Sequence, residues 1–207
     1  MKNSEAHTAE AQFELLIEGL MTKGYGICDG FTSATETAGL RNELLNCQNS
    51  GKMHLAGIGK KSEQHINEKI RGDVICWLDE NSTVPFALSF VQKLAAFIEY
   101  LNQTCFTSIN DSEFHFAYYE PGSFYKRHLD TFKSDDARKF SFVLYLNENW
   151  NATDEGNLKL YPKGQEPIDV LPIGGRAVFF RSDKLEHEVM PSPNRHRLSI
   201  AGWLKSQ

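Results

Sequence analysis

The run Phe124-Tyr125-Lys126-Arg127-His128-Leu129-Asp130 reads as a strand. Along a strand, residues i and i+2 project from one face. His128 and Asp130 are therefore expected to aim at one point, with Leu129 turned into the opposite layer. A second histidine, His187, lies far down the chain and is expected on a distant strand. Two imidazoles and one carboxylate can take one face of an octahedral ion and leave three positions open. A His-x-Asp alone is a weak sign, since a solvated histidine beside a solvated aspartate has the same sequence.

The next signal is a candidate anion site. Arg197 and Ser199 are again i and i+2, on a strand expected over 195–204. Arginine presents a planar fork that matches a carboxylate, and a hydroxyl two residues on can donate to the same anion. Tyr145 sits in Phe140-Ser141-Phe142-Val143-Leu144-Tyr145-Leu146, an apolar strand where a phenol needs a hydrogen-bond partner. Two histidines and an acid also suit zinc. A zinc hydrolase would leave Arg197, Ser199 and Tyr145 without a common role.

Outward from this region the chain changes character. From residue 113 onward, short apolar runs alternate with turns at 120–122, 147–149, 154–157, 162–164, 173–175 and 191–194. About eight short strands of this kind argue for an antiparallel double sheet. The first half reads differently. Residues 8–23 carry a helical apolar stripe ending at Gly24, and 25–31 reads as a short strand. Thr32 or Ser33 can cap a helix running to about Cys47. Residues 84–104 form the strongest helix, with Pro85 in its first turn. Between them, the charged run 60–69 reads as a loop, and 70–78 as a strand with Arg71 and Asp73 at its mouth. The expected fold is mainly β with N-terminal helices: a double-stranded β-helix (jelly roll, cupin-like) buttressed by α-helices. A single domain is expected over 1–207, with helical support and a substrate loop in 1–112 and the jelly-roll core in 113–207.

Composition bounds the function. The chain has 207 residues and a net charge of −5, with no basic stripe, which argues against a nucleic-acid partner. Apolar runs are too short for a membrane span, and Met1 to Glu5 hold no apolar leader. Cys28, Cys47, Cys76 and Cys105 are scattered, with no Cys-x-x-Cys pair, and read as reduced thiols in a cytoplasmic protein.

These motifs together resemble the 2-oxoglutarate- and Fe(II)-dependent oxygenases, and within them the prolyl hydroxylase domain group: the EGL-nine or HIF-type prolyl 4-hydroxylases and their bacterial relatives. The resemblance covers nearly the whole chain. It rests on Ile70-Arg71-Gly72-Asp73 followed by Trp77, Tyr119-Glu120-Pro121-Gly122, the strand ending His128-Leu129-Asp130, Tyr145-Leu146-Asn147-Glu148-Asn149-Trp150, the segment holding His187, and Arg197 with Trp203. The resemblance implies Fe(II) on His128, Asp130 and His187. It implies 2-oxoglutarate as co-substrate, its distal carboxylate on Arg197 and Tyr145, with Tyr119 and Tyr125 lining the pocket. O2 is the oxidant, and ascorbate a candidate reductant. Trp77 and Trp203 are expected to flank the entrance, and Arg138 and Asp73 to help hold the substrate loop; Arg71 is expected to pair with Asp73 or to face the substrate. Ser199 departs from the small apolar residue of the HIF-type enzymes and matches the wider Arg-x-Ser pattern. The implied reaction is hydroxylation of a prolyl residue in a protein, with a translation factor as one candidate substrate; the alternative is a free small molecule. Segment 52–72 is expected to fold over an extended peptide.

Overall fold

The architecture follows from which strands are apolar on both faces. In the computed structural model, residues 8–57, 69–78, 84–131 and 137–206 are described. Three helices and eleven strands appear among them, in the order α1 (Ala9–Lys23), β1 (Tyr25–Cys28), α2 (Ala34–Asn49), β2 (His54–Leu55), β3 (Asp73–Trp77), α3 (Pro85–Cys105), β4 (Asp111–Tyr119), β5 (Tyr125–His128), β6 (Arg138–Tyr145), β7 (Leu158–Tyr161), β8 (Ile168–Val170), β9 (Ala177–Arg181), β10 (Glu186–Val189) and β11 (Arg197–Lys205). The expected loop at 60–69 falls almost wholly outside the described residues.

The helix ends obey local chemistry. Thr8 caps α1, its hydroxyl accepting from the Ala11 amide at 3.3 Å, and Gly24 closes it in the left-handed region at φ 86°. Ser33 and Glu36 form a reciprocal capping box at the start of α2. Pro85 opens α3. Gly26 lets α1 seat on β1: a Cβ there would fall 2.1 Å from the Leu16 carbonyl oxygen.

Every strand pairing among the described residues is antiparallel. A seven-stranded sheet runs β1-β9-β6-β11-β4-β3-β2, and a four-stranded sheet runs β5-β10-β7-β8. Three strands from the first half of the chain thus extend the larger sheet, a feature no local pattern announced. Period-two alternation splits the larger sheet between two cores. Phe114, Phe116, Phe140, Phe142, Phe179 and Ile200 point toward the helices and meet Phe13, Phe90, Leu94 and Phe97. Ala117, Tyr119, Tyr145, Val178 and Phe180 point the other way and pack on Leu158, Leu160, Val170 and Val189 of the smaller sheet. Both faces of the larger sheet are buried, so its strands read as near-continuous apolar runs. The functional side chains occupy the second of these layers, between the sheets. All four cysteines are free thiols. No helix among the described residues is long and apolar enough to cross a membrane.

Candidate active site

Register brings the two histidines together. In the smaller sheet His187 of β10 stands opposite His128 of β5, and the imidazole centroids are 4.3 Å apart. Each Nδ1 faces the backbone carbonyl two residues before it, Lys126 at 2.6 Å for His128 and Leu185 at 3.1 Å for His187. A carbonyl only accepts, so each Nδ1 carries the proton and each Nε2 offers its lone pair.

Asp130 completes the cluster by a route that differs from the expectation. β5 ends at His128, and Asp130 lies in a bend beyond it, its amide donating to the Ser182 carbonyl at 3.2 Å. Leu129, expected in the opposite layer, is 39 % exposed. Because the chain leaves the sheet after His128, strict alternation no longer holds there. The convergence survives: Asp130 Oδ1 is 3.4 Å from His128 Nε2, and Oδ2 is 3.6 Å from His187 Nε2. The three ligand atoms lie within 4.8 Å of one another. Burial would raise the Asp130 carboxyl, but His187, His128 and a Ser141 hydrogen bond together hold it well below the usual carboxylate range. Burial pushes the His187 imidazole down to about 4, against the opposing pull of the Asp130 carboxylate. A carboxylate and a neutral imidazole are the forms a metal needs.

Two serines that the sequence reading missed hold this carboxylate. Ser141 Oγ donates to Asp130 Oδ2 at 2.6 Å and lies 2.8 Å from Ser182 Oγ. Ser141 comes from β6, so the acid is tied to the larger sheet while both histidines belong to the smaller one. The only sequence signal was a serine inside an apolar strand.

Arg197 and Ser199 both lie on β11 and line the same cavity. β11 places Arg197 opposite Tyr119 of β4, and Ser199 opposite Tyr145 of β6. Arg197 is 3 % exposed. Its Nη2 donates to the Tyr145 hydroxyl at 3.4 Å, and its guanidinium lies 5.0 Å from the Tyr119 ring centroid. Nε and Nη1 are buried without an acceptor among the described residues. A buried cation with two unmatched donors is costly unless an anion completes it. Burial raises the Tyr145 hydroxyl against the opposing pull of Arg197, so it stays a donor. Arg197, Ser199, Tyr119, Tyr125 and the three cluster residues line one cavity.

The residues expected around the substrate are placed unevenly. Arg71 and Trp203 line the same cavity. Asp73 is 1 % exposed and takes a two-pronged ion pair from Arg71, at 2.7 and 2.6 Å. Trp77 packs edge-on against His115, with centroids 5.1 Å apart. Arg138 pairs with Glu113 at 2.8 Å, covers the Trp203 ring at 3.4 Å and reaches the Asp130 carbonyl at 3.5 Å. It thus braces the metal-side segment as well as the cavity wall. His115, which the sequence reading also missed, lies in the wall between Trp77 and Trp203, its Nδ1 buried and without a partner among the described residues. Burial pushes its imidazole down to about 4. A roomier groove of about 510 Å³ lies between α3 and β4, but among the described residues no cluster of metal-ligating groups converges on it.

The family model described as the 2OG-Fe(II) oxygenase superfamily matches residues 114–205. A Pseudomonas putida prolyl-4-hydroxylase of known structure is 34 % identical over 94 % of this chain and 99 % of that one, with a TM-score of 0.84. The chain belongs to the 2OG-Fe(II) oxygenase superfamily. A solved prolyl hydroxylase in complex with a hypoxia-inducible factor peptide fragment from Trichoplax adhaerens is 26 % identical, covering 100 % of this chain and 94 % of that one, with a TM-score of 0.86. The hypoxia-inducible factor prolyl hydroxylase of Caenorhabditis elegans is 32 % identical over 92 % of this chain. The chain spans 28 % of that relative's length, and 57 % of the length of human prolyl hydroxylase EGLN3, to which it is also 32 % identical. Against the needs of a 2OG-Fe(II) oxygenase, the donor set fits. Two neutral imidazoles and a carboxylate suit ferrous iron, and the unmatched Nε and Nη1 of Arg197 suit the far carboxylate of a keto-diacid.

Proposed function

We propose that this chain is a prolyl 4-hydroxylase dependent on Fe(II) and 2-oxoglutarate, acting on a proline within a protein and releasing succinate and CO2. One observation carries the catalytic part: the His128–Asp130–His187 cluster shares a cavity with a buried Arg197 that has two donors to spare. The prolyl and protein parts are supported by the relatives, several of which bear that activity in their names and one of which holds a peptide.

When bound, ferrous iron and 2-oxoglutarate supply activation of dioxygen, coupled to decarboxylation of the keto acid. The chain supplies position and exclusion. His128, Asp130 and His187 would hold the metal on one side only, because a fourth protein ligand would fill a position the reactants need. Ser141 keeps the Asp130 carboxylate turned toward the two imidazoles. Arg197 and the Tyr145 hydroxyl, with Ser199 beside them, would fix the far end of the keto-diacid. Tyr119, Val143, Leu158 and Val189 wall the cavity and exclude water. Arg71 and Trp203 stand on its lining, where an extended peptide would arrive.

The test is direct. The protein, supplied with Fe(II), 2-oxoglutarate and proline-containing peptides, should add one oxygen atom to a proline at C4, with succinate formed in equal amount. Asp130→Ala should abolish both products. Turnover that survives this substitution overturns the assignment of the cluster, and oxygen added only to free small molecules overturns the protein substrate.

A further inference from the structure

We propose that Arg71 is a positioning residue for His128, acting through the ring of Tyr125. The proposal rests on the reading of His128 as a metal ligand. The chain geometry comes first. The Lys126 amide donates to the Ile70 carbonyl at 2.9 Å, and the Gly72 amide to the Phe124 carbonyl at 3.0 Å. Residues 70–72 therefore run antiparallel beside 124–126, and Arg71 is the bridge partner of Tyr125. Directly opposed residues on paired chains bring their side chains into contact.

The guanidinium is then fixed in place. Asp73 grips it with both oxygens, and the pair is almost fully buried. A planar fork held at two points cannot swivel as a lysine would. Its central carbon lies 4.4 Å from the Tyr125 ring centroid. The same ring stacks on the His128 imidazole at 3.5 Å, with an interplanar angle of 16°. The hydrogen bond from Nδ1 to Lys126 fixes the imidazole tautomer and one in-plane direction. The plane of the ring needs a second constraint, and the Tyr125 stack provides it. Asp73, Arg71, Tyr125 and His128 thus form a continuous column from a buried acid to the lone pair at Nε2.

The column has another anchor. Arg71 Nη1 donates to the Gly57 carbonyl at 3.4 Å, and the Asp73 carbonyl accepts from the Ala56 amide at 3.0 Å. The chain at Ala56 and Gly57 is tied to the pair that sets the His128 plane.

The experiment uses Mn(II) as the metal probe, titrated without 2-oxoglutarate or peptide, with the free ion followed by electron paramagnetic resonance. Arg71→Gln alone would leave Asp73 a buried unpaired acid and endanger folding. The working variant is therefore R71Q/D73N, which removes both charges. Tyr125→Leu removes the ring. Each should bind Mn(II) about tenfold more weakly, the usual cost of losing a residue that orients a ligand. Because the arginine acts through the ring, R71Q/D73N/Y125L should be no weaker than Y125L alone. Wild-type affinity in a folded R71Q/D73N, or full additivity in the triple variant, overturns the proposal. His128→Ala separates the two levels. If it abolishes Mn(II) binding while R71Q/D73N leaves it intact, the metal site stands and the Arg71 proposal falls. If His128→Ala changes nothing, the ligand reading falls and the proposal falls with it.

Discussion

Replacing Arg197 with methionine should do opposite things to binding and to stability. The side chain is buried, with Nε and Nη1 lacking acceptors. If these donors receive a carboxylate, two charge-assisted hydrogen bonds form, each worth about 1.5–3 kcal/mol. Losing both costs about 3–6 kcal/mol, or roughly a hundredfold to twenty-thousandfold in affinity for 2-oxoglutarate. The ligand-free protein has the reverse balance. There the guanidinium is desolvated and only partly compensated by the Tyr119 and Tyr145 rings at 5.0 and 5.1 Å and by one long bond to the Tyr145 hydroxyl. Methionine fills a similar volume without burying a charge, and such exchanges stabilise proteins by about 1–4 kcal/mol. The contacts with the two rings offset part of that gain, leaving about 1–2 kcal/mol, or roughly 2–8 °C in midpoint for a chain of this length. Thermal unfolding of both proteins, with and without 2-oxoglutarate, checks this. The variant should melt higher alone, and only the wild type should gain from the keto-diacid. A variant that melts lower without ligand, or gains as much from it, would refute the reasoning and make Arg197 a structural cation.

Three further outcomes follow from the geometry. Ser141→Ala removes the 2.6 Å bond to Asp130 and should weaken metal binding by about 10- to 100-fold, with Ser141→Thr restoring most of it; calorimetric titration with Mn(II) reads both. Burial holds His115 neutral down to about 4, whereas the ordinary value is 6.5, so between those limits the unfolded chain takes up a proton that the folded one refuses. Stability attributable to His115 is therefore lost as pH falls through that window, by roughly 3 kcal/mol in all. Urea midpoints of the wild type and His115→Phe should diverge accordingly between about pH 7 and pH 4, and a pH-independent difference would count against it. Phe142, fully buried against Phe31, Phe90, Phe97 and Phe114, should cost about 3–5 kcal/mol as alanine in urea unfolding.

Much of the site was legible because its chemistry is written in pairs two residues apart. Arg197 with Ser199 obeys strand alternation and lands where that rule sends it. His128 with Asp130 converges for a different reason, since the acid sits past the end of β5 and is steered by Ser141 and Ser182. His115 and Ser141 escaped notice because a single polar residue in an apolar strand gains meaning only from its cross-strand neighbours. The same limit explains β1, which pairs with β9 some 150 residues later, in a register that only the folded sheets define. The Asp73–Arg71–Tyr125–His128 column joins segments fifty residues apart, and spacing along one strand is silent about such contacts.

The three groups of the candidate metal cluster are divided between two sheets. The histidines sit on the smaller one, and the acid is moored by its serine to the larger. A metal ion drawn to all three would act as a rivet through the sandwich. Iron supply would then govern how long the protein lasts as well as how fast it works, with the unriveted form being the one proteases open first.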